Sequence, residues 1–157
     1  MKPGLSPAGD RVRPPAVAGT FYPGDSETLS RDLAEMLEQT GEDVPAPAFP
    51  KVVIVPHAGY IYSGPVAASA YDRLRPARAI ATRVVLLGPA HRVAVRGLAL
   101  PGAAAFDTPL GRIPVDGQAV AAIRNLPQVL ESSQAHALEH SLEVQLPFLQ
   151  RVLGDFT

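Results

Sequence analysis

Val52-Val-Ile-Val55, which runs into Pro56-His57-Ala58-Gly59, and Arg83-Val-Val-Leu-Leu87, which runs into Gly88-Pro89-Ala90-His91, decide the fold. Each begins with a mainly aliphatic run that is typical of a strand buried on both faces of a parallel sheet. Between them, Pro65 is predicted to be the first residue of a helix that extends to about Leu74. Strand, histidine loop, helix, strand and histidine loop form a βαβ unit. The sequence therefore predicts an α/β fold with a mostly parallel central sheet and flanking helices.

Further elements are predicted on both sides of this unit from apolar periodicity, capping residues and glycine stops. In chain order they are a helix from Asp25 or Ser26 to Gly41, short strands at 97–100 and 113–115, a helix from Asp116 to about Asn125 and a helix from near Glu139 to Gly154. Pro147 is expected near the first turns of the last helix or at a kink in it.

Length and composition limit the classes of function. With 157 residues, we expect a flexible tail over residues 1–14 and a single α/β domain over 15–157. The formal net charge of −1 argues against a nucleic-acid or anionic-membrane partner, and no apolar run is long enough to cross a bilayer. The absence of cysteine excludes disulfides and thiolate ligands. We therefore expect a cytoplasmic protein without a membrane segment.

His57 and His91 take equivalent places just after the two predicted strands. Because ligands bind at the carboxyl edge of an open parallel sheet, the two imidazoles can converge there on a divalent metal such as Fe, Cu or Zn. The alternative is that each histidine only forms hydrogen bonds at the end of its strand.

The segment His136-Ala-Leu-Glu-His140 matches the pattern HxxEH. On a helix, this spacing would offer two zinc ligands and a general base, as in a zinc peptidase. The helix is predicted to begin only near Glu139, however, which would leave His136 in a solvated loop. His140 and Glu143 would then share a helix face, either as a proton-transfer pair or as ordinary exposed residues. Tyr60 and Tyr62 either line a pocket or pack against helices.

Five motifs in a fixed order resemble those of a known family, and the resemblance covers the chain from about Arg13 to its end. They are Ala18-Gly-Thr-Phe-Tyr-Pro23, Val55-Pro-His-Ala-Gly-Tyr60, Leu87-Gly-Pro-Ala-His91, Thr108-Pro-Leu110 and Glu139-His-Ser-Leu-Glu-Val-Gln-Leu-Pro147. Together they resemble the Memo family, whose bacterial and archaeal members are called AmmeMemoRadiSam system protein B.

The resemblance implies a fold similar to the class III extradiol (LigB-type) dioxygenases, which are non-haem iron enzymes. It places His57 and His91 at two metal-ligand positions, with Fe(II) as the first expectation and Cu or Zn as alternatives. It places His140 at a nearby pocket histidine that takes part in acid–base catalysis in the dioxygenases. Family members are longer by roughly a hundred residues, and the third ligand belongs to that part. The resemblance therefore implies an incomplete, apparently truncated domain.

Two classes of function follow from this resemblance. The first is a metal-dependent, dioxygenase-like oxidoreductase that binds a small aromatic or reduced substrate, with His140 as the catalytic acid or base. The second is a non-catalytic adaptor that binds a metal or a peptide in the cleft. Family members often accompany radical-SAM and AMMECR1-like proteins, which suggests a protein modification system. The zinc-peptidase interpretation is a distant third.

Overall fold

A computed structural model describes residues 11–40 and 49–157. Its helices and strands are interspersed along the chain, as in an α/β protein. In chain order they are β1 (Val12–Arg13), α1 (Ser26–Glu38), α2 (Tyr60–Asp72), β2 (Leu98–Leu100), β3 (Ala105–Thr108), β4 (Gly111–Pro114), α3 (Gly117–Ile123), β5 (Val129–Glu131), α4 (Ser133–Ala137) and α5 (Leu146–Leu153). The predicted α/β class is thus confirmed. Short 3-10 turns lie at Arg75–Ala77 and Glu143–Gln145.

The strands form two small sheets in the described part of the chain. In the first, β3 pairs in parallel with β1 and antiparallel with β4. In the second, β2 pairs in parallel with β5. The short strands predicted at 97–100 and 113–115 are confirmed as β2 and β4.

Three helices, α1, α2 and α5, enclose the apolar core. The leucines of α1 recur on one face and are fully buried, as their spacing predicts. The rings of Tyr71 in α2 and Phe148 in α5 stack with centroids 5.1 Å apart. Because α5 contacts both other helices, it fixes the part of the chain just before it, residues 139–145, over the core.

Capping residues set the helix starts where the sequence predicts them. The Asp25 carboxylate accepts the Thr28 backbone N–H at the start of α1, and Asp116 does the same for two N–H groups of α3.

The prediction for Pro65 is wrong, because α2 begins at Tyr60 and Pro65 lies inside it. The last helix also differs: it starts with a 3-10 turn, and its α-helical part begins at Leu146 with Pro147 in the first turn, where proline is tolerated.

The first strand of the described residues lies before residue 15. Residues 1–10 of the predicted tail lie outside the described residues, but Val12 and Arg13 form β1. Arg13 is buried and donates hydrogen bonds to the backbone oxygens of His136 and Glu139. The tail prediction is therefore wrong for these residues, since Arg13 is a core polar residue.

The two aliphatic runs that predict the parallel sheet are not paired as strands in the described part of the chain. Burial nevertheless alternates along them as in an extended chain. Val53, Val55, Val84 and Leu86 pack against the core, whereas the residues that alternate with them are exposed, among them Val52 by 79% and Val85 by 80%. At Thr157, the backbone N–H donates to Thr82 and the carbonyl accepts from Val84, which is the hydrogen-bond pattern of a parallel pair. The prediction of two strands buried on both faces is therefore wrong among the described residues: neither run is a paired strand, and only one face of each packs against the core.

A membrane-crossing helix is likewise missing from the described residues. No helix there combines sufficient length with sufficient apolar character to cross a bilayer.

Candidate metal centre

Three histidine rings meet beside the amino-terminal end of α2. The ring centroids of His57 and His91 lie 5.3 Å apart, and the ring of His140 lies 5.8 Å from His57 and 4.6 Å from His91. One nitrogen of each ring lies within 4.8 Å of the others. The prediction that His57 and His91 converge is thus confirmed by the geometry, and His140 joins them.

The loop that carries His91 is held by the segment 139–141. The Glu139 carboxylate accepts the backbone N–H of His91 at 2.6 Å through Oε2, and its Oε1 lies 2.9 Å from His91 Nδ1. The Ser141 hydroxyl donates to the Pro89 carbonyl oxygen at 2.8 Å. A Cβ at Gly88 would lie only 2.8 Å from Ser141 Oγ and from Leu142 Cδ2, so a larger residue here would force these side chains to shift. Backbone and ring of His91 are therefore fixed by one neighbouring segment.

The loop that carries His57 is held by the same part of the chain and by residues near the amino terminus. Gln145 Nε2 donates to the Pro56 carbonyl oxygen at 3.1 Å. On the other side, the Tyr60 backbone N–H donates to the Phe21 carbonyl oxygen at 2.7 Å. The Phe21 ring packs against the His140 ring at a centroid distance of 4.6 Å. The Phe21 side chain thus forms an apolar wall of the cluster.

The electrostatics of the cluster are set by Glu139 and by burial. Burial opposes ionisation of Glu139, but hydrogen bonds from the backbone and ring of His91 and from the backbone of Ser141 and His140 outweigh it and lower the pKa of this carboxyl to about 2. For His140, burial is the largest cause that lowers the pKa; Glu139 opposes it, while the other two histidines and Arg92 add to it. At neutral pH, Glu139 is thus ionised and His140 is mainly the neutral imidazole.

Comparison with known proteins now decides the family. A family model of Memo-like proteins matches residues 13–157. The chain is 45% identical over 141 residues to a MEMO1 family protein of Aquifex aeolicus and 45% identical over 152 residues to one of Ignicoccus hospitalis. It belongs to the Memo family. The match covers 90% and 92% of this chain but only 50% and 53% of those relatives, so the chain spans about half their length.

A divalent metal fits the donor set that this Memo-family chain brings together. Imidazole nitrogen is a good ligand for Fe, Cu and Zn. From metal–nitrogen bonds of roughly 2.0–2.1 Å, imidazoles that share one ion are expected to have ring centroids about 5 Å apart. The observed centroid separations of 4.6–5.8 Å match this expectation. The His57 ring is inclined by 48° to both others, whereas the rings of His91 and His140 are stacked within 16°.

Two of the predicted arrangements are not formed. His136 lies on α4, is buried, and bonds through Nε2 to the Ala99 carbonyl oxygen at 2.8 Å. It therefore neither sits in a solvated loop nor joins His140 as the zinc-peptidase pattern requires. Glu143 does not pair with His140 either, because its carboxylate points into the core toward Arg13 and Tyr22.

The two tyrosines that follow His57 differ: Tyr60 takes the predicted packing alternative, and Tyr62 lies at the surface. Tyr60 is buried and donates its hydroxyl hydrogen bond to the Val144 carbonyl oxygen at 2.8 Å, so it packs. Tyr62 is 83% exposed. The core thus holds one of the two rings and leaves the other at the surface.

The sequence patterns did not single out the site residues Ser141, Gln145 and Phe21, and they indicated Glu139 only as the general base of the zinc-peptidase pattern. All four lie within motifs that support the family resemblance. The motif at 139–147 places polar residues at nearly every second position, at 139, 141, 143 and 145, within a buried segment. Since buried polar side chains require partners, this pattern was a signal that these residues bind other parts of the chain.

Proposed function

We propose that the histidine cluster binds one divalent metal ion, Fe(II) in the first place and Cu or Zn as alternatives, and that His57 and His91 are its ligands in this chain. The observation that carries the proposal is the meeting of three imidazoles from three separate loops within 4.8 Å. Hydrogen bonds hold the His91 and His57 loops in place, and the Glu139 carboxylate also contacts the His91 ring. Preorganised nitrogen donors of this kind favour binding, because little conformational entropy is lost when the ion enters.

His140 is proposed as the acid or base of the site rather than as a ligand. Its ring differs in arrangement from that of His57: it lies nearly parallel to the His91 ring, within 16°, whereas the His57 ring is inclined by 48° to both others. A neutral imidazole in this place can accept a proton from a bound molecule and later return it. The Phe21 ring, whose centroid lies 4.6 Å from that of the His140 ring, limits the access of water beside it.

The class of activity proposed is a dioxygenase-like oxidation of a small aromatic or reduced substrate. Fe(II), when bound, would supply a redox centre with open coordination positions for O₂ and substrate. This chain's residues would supply orientation and proton transfer: Glu139 holds His91, Gln145 holds the His57 loop, and His140 faces the bound molecule.

A non-catalytic binding module is the second candidate. It is favoured by the apolar surface next to the His57 loop, where Ile61 is 87% exposed and Tyr62 is similarly open. A peptide can cover these side chains while it reaches the cluster, as an adaptor within a radical-SAM and AMMECR1-associated modification system would require. This candidate predicts peptide binding that does not depend on metal and no consumption of O₂ by the iron-loaded protein.

Calorimetric titration with Fe(II), Cu(II) and Zn(II) under anaerobic conditions tests the metal proposal. We expect one ion per chain with a dissociation constant in the micromolar range or weaker, and at least about a tenfold loss of affinity in His57→Ala and in His91→Ala. His136→Gln is the matched control, since this fourth histidine lies outside the cluster. Unchanged affinity in either ligand variant, or equal loss in the control, would overturn the metal assignment.

A further inference from the structure

Both oxygens of the Glu139 carboxylate accept hydrogen bonds, and both of them contact His91. Oε1 accepts the backbone N–H groups of His140 and Ser141 at 2.8 and 2.9 Å, and Oε2 accepts that of His91. The same Oε1 lies 2.9 Å from Nδ1 of the His91 ring. An ionised carboxylate only accepts hydrogen bonds, so Nδ1 of His91 must carry the proton in this contact.

We propose that Glu139 is a positioning residue that holds His91 in the Nδ1–H tautomer and so makes Nε2 the nitrogen that faces the centre of the cluster. This inference rests on the proposed metal function. The tautomer of a neutral histidine is set by the hydrogen bond of one ring nitrogen, and the other nitrogen then offers its lone pair. A carboxylate behind a ligating imidazole also raises its basicity and fixes its plane.

The geometry distinguishes His91 from its two neighbours. His140 Nδ1 is 3.4 Å from the same Oε1, which is longer than the His91 contact. His57 has no carboxylate within ion-pair distance among the described residues. One carboxylate thus orients one of the two proposed ligands, and it does so from a buried position, since its side chain is only 5% exposed.

The first test needs no substitution and no metal. Proton–nitrogen correlation NMR spectra of the histidine rings, recorded at about pH 8, where neutral imidazole predominates, report which ring nitrogen carries the proton. We expect His91 to show the Nδ1–H form almost exclusively in the metal-free protein. A dominant Nε2–H form of His91 would overturn the proposal, whatever the protein binds.

The second test compares variants of the same segment. Glu139→Ala should give mixed tautomers of His91 and a 10–100-fold lower affinity for Zn(II) or Fe(II). Glu139→Gln keeps one acceptor oxygen. Its proportion of the Nδ1–H tautomer and its metal affinity should therefore lie between those of wild type and Glu139→Ala. Ser141→Ala removes the hydrogen bond to Pro89 in the His91 loop but no bond to the His91 ring. This variant should therefore leave the tautomer of His91 unchanged.

The outcomes separate this proposal from the metal proposal. If the His91 tautomer depends on Glu139 but no variant and no wild-type protein binds metal, the metal function fails and the positioning of the ring stands. If metal binds equally well to wild type, Glu139→Gln and Glu139→Ala, the role of Glu139 toward the site is refuted. Circular dichroism identifies any variant that does not fold, and the wild-type tautomer still decides the proposal in that case.

Discussion

Arg13 and Glu143, 130 residues apart in the chain, form an ion pair in which the side chains are 6% and 0% exposed. The Glu143 carboxylate also accepts the Tyr22 hydroxyl at 2.7 Å and the backbone N–H groups of Ala16 and Val17. These bonds fasten the amino-terminal segment, including Phe21, to the segment that carries His140. A buried, fully bonded carboxylate therefore supports one wall of the candidate metal centre.

Removal of the Glu143 charge should strongly destabilise the fold. In Glu143→Gln, the Arg13 guanidinium stays buried without a counter-ion, and loss of one partner of a buried pair costs about 3–5 kcal/mol. Urea unfolding followed by circular dichroism measures this loss. The matched control is Asp107→Asn at the exposed Asp107–Arg112 pair, which should cost about 1 kcal/mol or less. Equal losses for the two substitutions would contradict the central role of Glu143.

The sequence predicts the convergence of His57 and His91 because both follow aliphatic runs of the same kind. It does not predict the partners of residues 139–145. A helix spacing argument pairs His140 with Glu143, whereas the chain there is partly a 3-10 turn and Glu143 turns toward Arg13, a residue far away in the sequence. Such long-range polar pairs carry no local periodicity, so pattern analysis does not reveal them.

The aliphatic runs show a second limit of sequence patterns. A continuous apolar run predicts burial on both faces, yet Val52 and Val85 are exposed and only their neighbours pack inward. The apolar pattern indicates which side chains can be buried, whereas the rest of the folded chain determines which of them are buried.

Matched substitutions at neighbouring valines should reveal this one-sided burial. Val53→Thr and Val84→Thr place a hydroxyl against the core and should cost about 1–2 kcal/mol. Val52→Thr and Val85→Thr change exposed side chains and should alter stability by no more than about 0.5 kcal/mol. Urea unfolding of the four variants provides the comparison. Large losses at Val52 or Val85 would show that the second face is also covered in solution, for example by self-association.

Acid should destabilise the metal-free protein partly through Glu139. Its pKa is lowered from 4.5 to about 2 on folding, so the ionised form stabilises the fold above pH 4.5 and this contribution is lost as the pH falls toward 2. The full contribution is about 3 kcal/mol, and about 2 kcal/mol of it is lost by pH 3. Between pH 7 and pH 3, Glu139→Gln should therefore lose about 2 kcal/mol less stability than wild type.

Urea unfolding at the two pH values measures this difference. Ser141→Ala is its control, because this variant keeps the carboxylate and its bonds to His91. It should retain the acid sensitivity of wild type. If Glu139→Gln and wild type lose equal stability between the two pH values, the strong hydrogen bonding of the carboxylate is absent in solution.

His140→Ala should separate proton transfer from metal binding. If His57 and His91 are the ligands, the variant should keep the wild-type affinity for Fe(II) within about threefold, because the bonds of Glu139 to the His91 backbone and ring remain. Any O₂ consumption by the iron-loaded protein should fall by about 10²–10⁴-fold, the usual contribution of a positioned acid or base. Metal analysis after anaerobic dialysis and an oxygen electrode measure the two quantities. Loss of most of the bound iron in His140→Ala would instead make His140 a third ligand, as its distance to His91 also permits, and the acid–base role would then have to be assigned to another group.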